Sequence, residues 1–221
     1  MILFLPALVL FHFTTPVSAW GSLDGYEYFW ADSTYSSHYK LTGGLASVYY
    51  SWYNPNNYTT YNGTSYHVQV VTAANSWENA LTNDLGTDFI STGYLSSNTN
   101  VYYVLNNTLQ QTDIYAGCVY FNSYGVAVSN NQTYGEPWSD YAYVYVICYN
   151  QNMNRSNNSQ NEYRLNDVEV KGVMAHEMGH AMGLAHVYPD GFNVLMEENH
   201  VAERTYAPTS YDIAGIRNAG Y

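Results

Sequence analysis

The chain has 221 residues, of which 47% are hydrophobic, 17% aromatic and 11% charged. That amount of apolar material can bury the core of one ordinary domain, and it excludes a disordered chain. A count of 18 acidic against 6 basic residues gives a formal net charge of -12, which excludes nucleic acid and anionic lipid as electrostatic partners.

The N-terminus has the pattern of a secretory signal peptide. Residues 1–13 are almost entirely apolar, and residues 16–19 supply a small-x-small cleavage site. No Lys or Arg precedes the apolar stretch, and an uncleaved anchor is the alternative. About a dozen apolar residues are nevertheless too few for a comfortable membrane span. We therefore expect removal of residues 1–19 and a secreted domain of residues 20–221 with no stable membrane span.

The hydrophobic pattern predicts a strand, a helix, several strands and two further helices, which is an α+β layout. The predicted strands are 46–53, 87–91, 101–105, 114–121, 125–128 and 141–149. The predicted helices are 68–85, 165–184 with Asn166 or Asp167 as N-cap, and a short one from Thr209 or Ser210 to Asn218. Residues 20–44 are expected to form an irregular arm, and residues 150–161 an exposed loop.

Sequons and cysteines both fit export to an oxidising compartment. The predicted N-glycosylation sites are Asn57, Asn62, Asn106, Asn131, Asn154 and Asn157. Cys118 and Cys148 lie in two β-like stretches and can form a cross-strand disulfide, which would contribute about 3 kcal/mol. The alternative is a pair of buried free thiols.

The segment HEMGHAMGLAH carries the residues with the clearest chemistry. His176 and His180 are four positions apart, so on a helix both imidazoles lie on one face and can bind one ion. Gly183 lets the backbone leave the helix, so that His186 can return as a third ligand. Three imidazoles with an open fourth position are typical of catalytic zinc. Glu177 can then take a proton from a zinc-bound water.

This segment is similar to the metzincin zinc-protease signature HExxHxxGxxH, and Gly179 and Leu184 match the form usual in matrixins, the matrix-metalloproteinase-like branch. Metzincins also carry a methionine in a tight turn beneath the zinc. Met196, ten residues after His186, fits that position, with a plain core residue as the alternative.

The C-terminal residues 211–216 also resemble the final helix of matrixins. Matrixins often have two adjacent Asp residues there, whereas Tyr211 occupies the first place in this chain and only Asp212 remains. The family's salt bridge from the first Asp to a freed N-terminus is therefore not supported.

The resemblance implies a metzincin-like fold. A twisted mixed β-sheet and two long helices would form an N-terminal lobe of about residues 45–183. A small C-terminal lobe, about 184–221, would hold the Met-turn and a final helix. The family's antiparallel edge strand, which pairs with substrate, would fall within residues 114–128.

The resemblance further implies one catalytic zinc ion held by His176, His180 and His186, with Glu177 as general base and acid. Calcium is not predicted, because no EF-hand-like loop is present. A Pro-Arg-Cys-Gly-type cysteine switch and the segment for a second, structural zinc are not recognisable.

These features together predict a secreted zinc endopeptidase acting on a protein or peptide substrate. One alternative is a zinc-containing extracellular surface or adhesion protein without proteolytic activity. Glu177 argues against it, because a structural zinc site has no need of that carboxylate. The other alternative is a zinc amidase acting on cell-wall peptides. The substrate, working pH and oligomeric state have no signature in the sequence.

Overall fold

The structure of this chain is a computed structural model that describes most of the residues between Tyr39 and Asn218. The described residues are 39–44, 48–54, 56–86, 90–92, 99–107, 114–129, 137–154, 164–186, 194–197 and 205–218. The predicted signal peptide, most of the predicted arm, and the sequons at Asn131 and Asn157 lie outside them.

One five-stranded mixed sheet is formed by the described residues. Its strands are β1 (Val48–Tyr53), β2 (Ile90–Thr92), β3 (Val101–Asn106), β4 (Ala116–Phe121) and β5 (Tyr143–Tyr149). They lie in the order β2-β1-β3-β5-β4, and all neighbours are parallel except β4 and β5. The antiparallel edge strand is thus β4, inside the range in which one was expected.

The described helices are α1 (Tyr66–Leu85), α2 (Asn150–Met153), α3 (Asp167–Ala181) and α4 (Ser210–Asn218). The two long helices, α1 and α3, pack against each other, and α3 also contacts β4 and β5. This arrangement confirms the mixed α+β class, while the division into two lobes stays a prediction. Within the described residues, no helix combines the length and apolar character that crossing a membrane requires.

The start of α3 is fixed by a capping box. The Asn166 side chain accepts hydrogen bonds from the backbone N–H groups of Val168 and Glu169, and the Glu169 carboxylate accepts from Asn166 N at 2.6 Å. These bonds satisfy donors that a helix N-terminus otherwise leaves unpaired. The structure therefore selects Asn166 over Asp167 as N-cap. Asp167 instead accepts a hydrogen bond from the Thr60 hydroxyl at 2.6 Å, which ties α3 to the loop before α1.

Two local predictions are wrong. Residues 125–128 form no strand, because the chain turns back at Gly125 (φ 76°) and only an isolated bridge joins Ala127 to Phe121. The Asn122 side chain accepts from the backbone N–H of Val126, which stabilises this turn. The first residues of the expected loop 150–161 instead form the single helical turn α2, while residues 155–161 lie outside the described part.

The predicted disulfide is also absent, since Cys118 and Cys148 are both free and buried. In the β4–β5 register Cys118 lies opposite Val146, and Cys148 lies opposite Ala116. The two cysteines are therefore diagonal neighbours, about 7–8 Å apart at the Cα atoms and only somewhat closer at Cβ. A disulfide requires about 3.5–4.5 Å between the Cβ atoms.

Candidate metal centre and active site

The three predicted ligands lie together. His176 and His180 project from α3, and His186 follows the turn that ends this helix. The Nε2 atom of His186 lies 3.0 Å from Nε2 of His180 and 3.1 Å from Nε2 of His176. Three imidazole nitrogens therefore converge on one point.

Backbone carbonyls determine which nitrogen of two imidazoles carries the proton. His176 Nδ1 lies 2.7 Å from Leu195 O, and His180 Nδ1 lies 2.7 Å from Leu184 O. A carbonyl oxygen only accepts, so each Nδ1 is the donor and each Nε2 presents a lone pair in the neutral ring. Burial lowers the pKa of His180 to about 4, which keeps that ring neutral.

This donor set fits a zinc ion. Two unprotonated Nε2 atoms face the Nε2 atom of His186, and a proton on His186 could satisfy only one of them. A cation between the three nitrogens satisfies all of them. Two nitrogens bound to tetrahedral zinc are about 3.3 Å apart, close to the separations found here.

The turn after α3 brings His186 back to the helix. Gly183 has φ 98°, its N–H donates to His180 O at 2.9 Å, and Leu184 N donates to Gly179 O at 3.0 Å. These two bonds form a Schellman motif, which requires a left-handed residue that glycine adopts without strain. Gly183 lets the backbone leave the helix as predicted, but α3 ends at Ala181, before the predicted end at residue 184. The same turn places the Leu184 carbonyl against His180.

Met196 lies in a tight turn packed against α3. It is fully buried, and a Cβ atom added at Gly179 would overlap its sulfur. Glycine at position 179 leaves room for the Met196 side chain and for the Trp77 ring. Because the preceding residue, Leu195, accepts from His176, the turn also orients one metal ligand. This position agrees with the predicted Met-turn.

Asp212, on α4, hydrogen-bonds to that turn, a contact that no sequence motif predicted. Its carboxylate is fully buried and accepts from the backbone N–H of Leu195 at 3.2 Å, of Met196 at 3.3 Å and of Thr209 at 2.7 Å. Burial raises the pKa of Asp212, against the effect of these hydrogen bonds. A continuous chain of hydrogen bonds thus connects α4 to His176.

Glu177, the predicted general base, is buried next to the first ligand, with 6% of its surface exposed. Burial raises the pKa of its carboxyl group to about 7, and a hydrogen bond from Cys118 lowers it. The Cys118 sulfur lies 3.3 Å from Glu177 Oε2. A carboxyl group whose pKa is near neutral can both take up and release a proton at physiological pH.

A small pocket borders His176. His176 and Leu195 form its edge towards the metal centre, and Leu165 and Val173 give it apolar walls. The ring of Tyr206 lies where a side chain at position 172 would stand, and Gly172 makes room for it. No periodicity or motif pointed to Tyr206, because it comes from an irregular segment distant in sequence.

The chain matches a model of a known protein family. Residues 65–187 match the family model described as metallo-peptidase family M12B, reprolysin-like. The match covers more than half of the chain and runs from the start of α1 past His186, whereas β1, Met196 and α4 lie outside it. The curated proteins contain no match to the chain.

Proposed function

The chain belongs to the reprolysin-like metallopeptidases of family M12B, and we propose that it is an endopeptidase that hydrolyses peptide bonds within proteins or peptides. Peptidases of this family use a catalytic zinc ion, and the three histidines form a group that can bind it. The observation that carries the proposal is the convergence of three imidazole Nε2 atoms beside one buried carboxyl group, Glu177.

Zinc and Glu177 have separate roles in the proposed reaction. Zinc, when bound by His176, His180 and His186, supplies a Lewis acid that activates water and polarises a peptide carbonyl. Glu177 accepts a proton from the attacking water as its oxygen bonds to the carbonyl carbon. The same carboxyl group then delivers a proton to the amide nitrogen as the C–N bond breaks.

Two features beside the metal centre support a peptide substrate. Strand β4 is the edge of the sheet, and its residue Cys118 contacts Glu177, so this edge lies beside the general base. An extended peptide can add to such an edge through main-chain hydrogen bonds, which tolerates many sequences. The largely apolar pocket beside His176 is the proposed position of one substrate side chain.

The finer branch assignment is also part of the proposal. The family match supports a metzincin-type zinc peptidase, and its model is reprolysin-like. Support for the matrixin branch comes from the short interval between His186 and Met196 and from Gly179 and Leu184, which match the usual matrixin form. Matrixin character therefore stays a prediction within the broader metzincin group.

We also propose that the protein is exported and glycosylated, on the strength of its apolar N-terminus and sequons. Asn57 and Asn62 are exposed and suit a glycan. Asn154 does not, because its Nδ2 donates to both Thr59 O at 2.9 Å and Asn150 Oδ1 at 3.0 Å. A glycan on Nδ2 leaves a single N–H, so one of these bonds would be lost.

The test is cleavage of unfolded casein by the full chain and by Glu177→Ala, with the zinc content of both measured. We expect about one zinc per molecule in each protein and cleavage by the wild type alone, at least about 1,000-fold faster than the variant. A well-folded wild type without zinc would contradict the proposal. Zinc in both proteins without casein cleavage would favour the adhesion protein, or the amidase if cell-wall peptides are hydrolysed.

A further inference from the structure

The side chain that contacts the general base belongs to β4. Cys118 lies in the interior of this strand with 5% of its surface exposed, facing α3. Its sulfur is 3.3 Å from Glu177 Oε2 and 3.6 Å from Glu177 O. The carboxylate oxygen is thus the nearer of two acceptors on the same residue.

The thiol is the donor in this contact. Burial and the neighbouring carboxyl group of Glu177 raise the pKa of Cys118 well above its usual value, so the sulfur keeps its proton. An ionised carboxylate offers only acceptors, and a hydrogen bond from a neutral donor to a charged acceptor is stronger than one between neutral groups.

A glutamate side chain needs such a contact to hold one orientation. Rotation about the bond to its carboxyl group is soft, with a broad two-fold preference. One donor on Oε2 restricts this rotation and leaves Oε1 outside this contact. Proton transfer depends strongly on placement, so a fixed carboxylate reacts faster than a rotating one.

We propose that Cys118 is a positioning residue for the peptidase reaction, whose thiol holds the Glu177 carboxylate in the orientation that exchanges a proton with the attacking water. This inference rests on the proposed function. It assigns to the sulfur a role that replaces the disulfide expected from the sequence.

Cys148 provides a matched control within the same chain. It lies on the neighbouring strand β5, faces the same side of the sheet and is fully buried. Its sulfur lies 3.4 Å from Met174 Sδ and 3.9 Å from Val146 O. Truncation of either cysteine removes the same atom from the core, but only Cys118 hydrogen-bonds to the general base.

The experiment compares Cys118→Ala, Cys118→Ser and Cys148→Ala in the full chain, with kcat, KM, zinc content and thermal midpoint measured for each. We expect Cys118→Ala to lower kcat about tenfold with KM and zinc unchanged, which corresponds to the loss of one oriented hydrogen bond. Cys118→Ser, which restores a donor, should return kcat to within about threefold of wild type. Cys148→Ala should leave kcat within about twofold while losing similar stability.

Equal kcat values in Cys118→Ala and Cys148→Ala would overturn the inference, as would a folded Cys118→Ser that is no faster than Cys118→Ala. Should Cys118→Ala not fold, Cys118→Val fills the site without a donor and takes its place. A wild type with zinc but no peptidase activity overturns the proposed function itself, and that result is visible before any variant is measured.

Discussion

Tyrosine side chains make different kinds of contact on the two faces of the sheet. On the side of α3, the buried Tyr103 hydroxyl donates to Met174 O at 2.7 Å, and Tyr141 donates to Ala181 O at 3.0 Å. On the other face, Tyr102 stacks on Tyr145 at 5.1 Å between ring centroids. One face therefore anchors the backbone of the catalytic helix, while the other gains its stability from contacts between rings.

This difference teaches how a site with few charges is held. Two further side chains donate to α3 carbonyls: Trp77 to Ala175 O and Tyr120 to His180 O. Trp77 adds a fixed point inside the helix without breaking it, and Tyr120 adds one at its C-terminal turn. They set the rotation of α3 about its axis, which decides where His176 and His180 point.

Removal of zinc should have the largest effect on stability, and it should destabilise the face of the sheet towards α3 more than the opposite face. Without a cation, the Nε2 atoms of His176, His180 and His186 repel one another. Free zinc at about 1,000 times its Kd contributes about 4 kcal/mol, so a chelator should lower the thermal midpoint by about 10 °C.

Hydrogen exchange locates that effect. Protection of the Leu195 and Met196 amides should fall on chelation, whereas protection across the β3–β5 pairing should not change. Equal loss of protection in both regions would show that zinc stabilises the whole domain and not the site side alone.

Asp212→Ala should be the next largest change. It leaves the buried N–H groups of Leu195 and Met196 and the partly buried N–H of Thr209 without their acceptor, and we expect a loss of about 3 kcal/mol in unfolding free energy. Because Leu195 O orients His176, zinc affinity should also fall by about 10–100-fold. Denaturant unfolding and zinc titration measure the two effects.

The control for this variant is Asp84→Ala. It removes a partly exposed ion pair between Asp84, on α1, and Arg217, which lies on α4 like Asp212. It should cost less than about 1 kcal/mol and leave zinc affinity unchanged. Similar zinc affinities in the two variants would mean that α4 stabilises the domain without orienting the ligand.

The sequence predicted the metal centre better than its supports, for a physical reason. His176, Glu177 and His180 follow from helix periodicity, and Gly183 from its need for a positive φ, so local rules suffice. Asp212 accepts from the amide of Leu195, 17 positions away, and the Tyr103 hydroxyl donates to the carbonyl of Met174, 71 positions away. Such contacts depend on packing that no local pattern encodes.

The cysteines and the short elements show the same limit. Whether Cys118 faces Cys148 directly or diagonally depends on strand register, which two isolated β-like stretches do not specify. The predicted strand at 125–128 has β-like composition, but the Asn122 side chain and Gly125 turn the chain instead. Composition favoured a strand, and side-chain hydrogen bonding to the backbone decided otherwise.

The smallest expected effect tests the contrast between the faces most directly. Tyr103→Phe removes one hydroxyl that bonds to α3, and it should lower the unfolding free energy by about 1 kcal/mol. Tyr145→Phe removes the same atom from the outer face, where the stacked ring carries the contact, and should change it by less than about 0.5 kcal/mol. Both variants keep their rings, so denaturant unfolding compares the hydroxyls alone. Equal losses would contradict the distinction between an anchoring face and a stacking face, because the hydroxyl would then contribute the same whether or not it reaches the catalytic helix.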